Sequence, residues 1–183
     1  MTDREVTQEM LEQLIDDAGY LQDEAEALKY VIDQVPYTER PPDGQSIYEM
    51  LKLLDHAQVN YYRPIIENVF SENRTVNVSS MEPFEESFEL PEDDDKNVDK
   101  ALSKIIKHRA AIINVFTKIP LIDWERLLKD QNGEHISLYQ FANQMVLKER
   151  SILKNIADLV LIYQNEKLSR KEIEARTEQR NSN

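Results

Sequence analysis

Residues 140–164 read QFANQMVLKERSILKNIADLVLIYQ. Phe141, Ala142, Met145, Ile152, Ile156, Leu159 and Tyr163 recur at spacings of three and four, which place side chains on one face of an α-helix. Leu138 extends the stripe backwards. Ser137 and Gln140 form a capping box, in which each side chain bonds the other residue's backbone amide. A helix this long with one apolar face must bury that face against other helices. One position breaks the stripe: Glu149 falls between Met145 and Ile152, where the pattern asks for an apolar group.

Three further segments carry the same periodicity. Leu11, Leu14, Ala18, Leu21, Ala25, Leu28, Ile32 and Val35 predict a first helix that Pro36 ends. Ser46 with Glu49 caps a second, whose inward residues are Ile47, Met50, Leu51, Leu54, Tyr61, Ile65 and Val69. Pro64 lies inside it and predicts a kink, because proline removes one backbone bond and clashes with the preceding turn. A third helix is expected from Val98 to Ile119, with Leu102, Ile105, Ile106, Ile112, Ile113 and Phe116 inward. Asp123–Leu128 reads as a short capped helical turn, and Asn132-Gly133 as a tight turn. Residues 71–97 have no periodicity and many carboxylates, and read as a long crossover between the second and third helices. Its Asp93, Asp95, Asn97 and Asp99 resemble the opening of a calcium loop. Val98 and Lys104 occupy the glycine and closing glutamate positions, so the stretch reads instead as an acidic cap on the third helix. The expected fold is all-α: a four-helix bundle over residues 1–168, with a polar helical tail at 169–183 that Ser169 and Glu172 would cap.

Arg109 interrupts the apolar stripe of the third helix as Glu149 interrupts the fourth. If these helices are antiparallel, both lie about 15 Å from their connection at roughly 1.5 Å per residue. A bridging ion pair follows. Gln58 and Tyr61 on the inward face of the second helix complete a possible polar patch. Two readings stand: a structural pair satisfied within the core, or a ligand pocket of Gln58, Tyr61, Arg109 and Glu149 in which Arg109 holds an anionic group and Glu149 orients it.

The chain has 183 residues, three glycines, seven prolines and no cysteine, which argues for long elements and against disulfides, thiolate zinc sites and cysteine nucleophiles. A net charge of −13 argues against binding nucleic acid or anionic membranes. The acidic N-terminus is unlike a signal peptide and no apolar run is long enough to span a bilayer, so a cytoplasmic protein is expected. Two Asn-x-Ser/Thr sequons, at Asn73 and Asn77, then read as chance matches.

PPDGQSIYEMLKLLDHAQ at residues 41–58 and KERSILKNI at 148–156 resemble the second- and fourth-helix motifs of the DinB-like family, also called YfiT-like metalloenzymes. Those motifs commonly read W-S-x-x-E-x-L-x-H-L and H-E-x-x-H-R-G-Q-I. The resemblance implies a four-helix bundle, often dimeric, whose active members hold a divalent metal with three histidines and use it on small substrates, in some cases a low-molecular-weight thiol. Carried onto this chain, the ligand positions fall on Leu53, Lys148 and Ile152, so the histidines are replaced and no metal or cofactor is expected. His56 falls opposite the helix seam as a solvated residue, His108 lies off its stripe and His135 in a turn. The expectation is a homodimeric module for assembly or for binding a small molecule, an anionic one if Arg109 holds it, with no catalytic residue assigned. The alternative is a transferase or isomerase working without the triad, or a metalloenzyme with other ligands.

Overall fold

A computed structural model describes residues 5–71 and 75–181. The sequon at Asn73 lies outside them. Helix α1, Gln8–Leu28, starts at Thr7, whose hydroxyl accepts the Met10 amide at 3.2 Å. It ends about two turns earlier than the spacing predicts. The amides of Lys29, Tyr30 and Val31 bond only three residues back, at 3.1–3.2 Å, and Val35 is held extended ahead of Pro36. Ile32 and Val35 stay buried all the same, Ile32 in a 3-10 turn and Val35 in the extended residue after it.

Ser46 and Glu49 form the expected capping box at the start of α2, Ile47–Ala57. The kink expected at Pro64 appears as a π-turn over Gln58–Tyr62, leading into α3, Arg63–Ser71. Proline offers no amide and its ring needs room, and the widened turn supplies both, with the Arg63 amide bonding the Gln58 carbonyl five residues back. The turn aims Gln58, Tyr61 and Tyr62 all into the protein.

The crossover is pinned to the bundle. A 3-10 turn, Val78–Ser80, and the one-turn helix α4, Phe84–Ser87, bury Val78 and Phe84. Further on, the Asp94 carboxylate accepts the Tyr48 hydroxyl, pairs with Lys52 at 3.0 Å and accepts the Lys96 amide at 2.9 Å. Burial pushes the Asp94 carboxyl up, but these hydrogen bonds and the Lys52 charge outweigh it and set it at about 2. Asn97 caps α5, Val98–Phe116, by accepting the Lys100 amide at 2.8 Å, as the cap reading of this acidic stretch requires.

After α5 the chain departs from expectation. The helical turn expected at Asp123–Leu128 is a 3-10 turn, Leu121–Glu125, that seats Trp124 against Phe116 at 5.1 Å between ring centroids. Strand β1, Leu127–Lys129, then pairs antiparallel with β2, His135–Ser137, around Gly133. Gly133 has φ +80, which glycine adopts without strain. His135 therefore sits on a strand rather than in a turn. Leu128 is buried and Leu127 exposed, an alternation that suits a strand with one covered face. Helix α6, Leu138–Asn181, begins at the Ser137–Gln140 capping box and runs on without a break at Ser169. In the four-helix bundle, α1 and the α2–α3 helix each pack on both α5 and α6.

Candidate ligand-binding cleft

Arg109 and Glu149 do meet, as an ion pair across α5 and α6, and their side chains are 0% and 3% exposed. Arg109 Nε and Nη1, Glu149 Oε1 and both amide atoms of Gln58 are buried without a hydrogen-bond partner among the described residues. Burial pushes the Glu149 carboxyl above its usual range, and the charge and hydrogen bond of Arg109 only partly oppose this. Neither member of the pair lines any of the clefts described below. Both side chains are thus shut off from solvent in this conformation.

Tyr61, the remaining member of the proposed patch, opens onto a cleft of about 390 Å³. Tyr61 and Tyr62 from the π-turn, Phe84 from α4 and Phe141 from α6 form its aromatic walls, with neighbouring centroids 5.2–6.4 Å apart. Met145 and Val78 add apolar surface, and the polar lining comes from Glu85, Asp130, Gln131, Asn132, Gln144 and Lys148. The Tyr61 hydroxyl accepts the Gln131 side-chain amide at 2.7 Å. Lys148 Nζ lies 2.6 Å from the Glu85 carboxylate and 6.0 Å above the Phe84 ring.

Burial raises the Tyr61 phenol; the Gln131 hydrogen bond opposes this, and the negative charges of Glu85 and Asp130 add to it. The Tyr62 phenol is raised by burial first and then by Glu149, Tyr61 and Glu85. Both are neutral hydroxyls at physiological pH. Such a cleft can enclose a small organic body and orient it by its polar rim.

The sequence reading did not single out Phe84, Glu85, Tyr62 or Phe141 as ligand contacts. The one available signal was a pair of phenylalanines, Phe84 and Phe88, set in an otherwise acidic, aperiodic stretch. The histidines also differ from expectation. His56 is half-buried, with Nε2 3.0 Å from the Ser87 hydroxyl and its ring 5.6 Å from Phe88, because the crossover folds over it. His108, off its stripe as expected, pairs through Nδ1 with Asp55 at 2.6 Å and lines a second cleft of about 250 Å³ beside Gln58 and Pro64.

At the positions to which the resemblance carries metal ligands, Leu53 and Ile152 are buried aliphatics and Lys148 is an ammonium paired with Glu85. None offers a lone pair to a divalent cation while the lysine stays charged. Among the described residues, no group of three or more histidine, aspartate or glutamate side chains is placed to hold a metal.

No protein-family profile and no curated protein sequence matches this chain. Among solved structures, YfiT from Bacillus subtilis, reported as a probable metal-dependent hydrolase with an unusual four-helix bundle topology, matches with a TM-score of 0.70. The match covers 87% of this chain and 91% of YfiT, at 14% sequence identity. The fold is that of YfiT. At this identity the likeness bears on the fold alone, so the YfiT-like bundle sets where the helices run and leaves the chemistry to the residues above. Among the described residues, no helix of the YfiT-like bundle is long and apolar enough to cross a membrane.

Proposed function

We propose that this YfiT-like bundle is a metal-independent binding module for a small organic molecule, held in the cleft between the π-turn, α4 and α6. The observation that carries this reading is the four-aromatic wall of Tyr61, Tyr62, Phe84 and Phe141 around about 390 Å³. Its size lies within the roughly 300–1,000 Å³ usual for small-molecule sites, and its mixture of apolar walls and a few polar groups is the usual composition. The charges of Glu149 and Arg109 act in opposite directions on the phenol of Tyr62, which lines the cleft. A Phe141→Ala variant, compared with the native chain by thermal unfolding against a metabolite panel, tests the reading. Ligands that raise the melting temperature of the native chain and not of the variant support it. Equal shifts in both would place binding elsewhere. Elemental analysis after incubation with zinc, nickel and manganese is expected to find no stoichiometric metal, and about one ion per chain would overturn the metal-independent part.

The Asp55–His108 pair favours a second reading, a metal-independent transferase or isomerase. An aspartate on Nδ1 directs the neutral imidazole to present Nε2 as a base. Turnover that disappears in His108→Gln and survives in Phe141→Ala would put that cleft ahead of the aromatic one.

A further inference from the structure

We infer that the aromatic cleft takes a small organic ammonium ion, which displaces the Lys148 ammonium from the Glu85 carboxylate and the Phe84 ring. This rests on the reading of the cleft as a ligand site and names the class of ligand. A side-chain ammonium already occupies the place: Lys148 Nζ is 2.6 Å from Glu85 and 6.0 Å from the Phe84 centroid. Ring faces carry negative potential and attract cations, the more so when water is excluded. Phe84 is 4% exposed, Tyr61 7% and Tyr62 5%, so the aromatic wall beside the Lys148 ammonium is largely shielded from water.

The charges around the cleft point the same way. Glu85 and Asp130 line it, Lys148 is the single cation among the described lining residues, and that cation is already paired with Glu85. The negative field reaches the walls, since Glu85 and Asp130 both act to raise the Tyr61 phenol. A net charge of −13 draws cations to the molecule over longer range. An anion would meet two carboxylates and one committed lysine. No group of three or more histidine, aspartate or glutamate side chains among the described residues is placed to hold a metal ion, whereas an alkylated ammonium is weakly hydrated and suits aromatic walls. Lys148 is half-exposed, so it can swing into solvent when a ligand cation enters.

The test uses the full chain with two probes of one shape: choline, and 3,3-dimethylbutan-1-ol, its uncharged carbon analogue. Nuclear magnetic resonance follows the ring signals of Tyr61, Tyr62, Phe84 and Phe141. Choline is expected to bind in the cleft at least roughly tenfold more tightly than the alcohol. Lys148→Met should tighten choline binding several-fold by removing the internal competitor, and Glu85→Gln should weaken it. Binding should also weaken as salt is added. Equal binding of the two probes would overturn the ammonium assignment and leave the cleft as a site for neutral molecules. If neither shifts the cleft signals, or choline shifts only signals elsewhere, the assignment and the cleft reading both fail.

Discussion

Removal of the Arg109 guanidinium would leave the Glu149 carboxylate in the core with no counter-charge. At neutral pH, Arg109→Met is expected to lower the free energy of unfolding by about 3–5 kcal/mol, most of it the cost of that stranded charge. The pH dependence has a definite sign. Glu149 titrates near 4.5 when unfolded and above that when folded, and loss of Arg109 raises the folded value further. The deficit is therefore small up to the native folded value and grows as pH rises from there toward the variant's higher one. Urea unfolding at pH 4.5 and pH 7 measures it. Arg109→Met with Glu149→Leu should recover most of the loss, because apolar groups of similar size replace a closed pair at little cost. A double variant as unstable as the single one would mean that packing around Arg109, and not its charge, holds α5 to α6.

The elements are held by local polar contacts at their ends. Glu49 closes the capping box on α2 and also accepts Arg40 Nε at 2.9 and 3.0 Å. The Arg40 hydrogen bond is the main cause holding the Glu49 carboxyl below its usual range, against the effect of burial. The stability that Glu49 supplies is thus present above pH 4.5 and is lost as pH falls through its lowered folded value. Ser46→Ala should cost about 1 kcal/mol in urea unfolding at pH 7, and a cost near zero would show that the cap is redundant with the packing of Ile47 and Leu51. The crossover depends on Asp94 in the same way. With a folded value of about 2 against 3.8 unfolded, its contribution is complete above pH 3.8 and fades as pH falls toward 2. Asp94→Asn should speed hydrogen exchange over residues 88–97 while leaving α5 protected, since Asn97 caps that helix independently.

On the scale of the whole molecule, stability is unevenly distributed. The core joins α1, α2–α3, α5 and α6 through residues such as Leu14, Leu51, Leu54, Ile105, Ile112, Met145 and Ile156, all nearly inaccessible to solvent. Along α6, by contrast, residues 165–178 are exposed throughout, including Leu168 and Ile173. A chain ending at Arg170 should unfold within about 0.5 kcal/mol of the full one, as changes remote from packed contacts usually do. A larger loss would mean that this part of α6 stabilises the bundle through contacts formed with its own body or with a second copy.

Helix positions, both capping boxes, the disturbance at Pro64 and the meeting of Arg109 with Glu149 could all be read from residue order. Each follows from a local rule: a 3.6-residue period, a cap at fixed spacing, a missing amide, a rise per residue along two neighbouring helices. The end of α1 and the β1–β2 hairpin were misread because short turns compete on small energy differences that tertiary contacts such as Trp124 on Phe116 decide. The cleft was illegible for a different reason. It brings residues 61 and 62, 84 and 85, and 141 and 148 together, and the middle pair comes from a stretch without periodicity whose position nothing local dictates. The same holds for Asp55 with His108, 53 residues apart. Sequence alone determined which faces must be buried and hence a helical bundle, since burial of apolar area is nearly blind to partner identity. Which aromatic rings and charges share one small volume was decided only by tertiary closure, because it depends on where the crossover lies across the bundle.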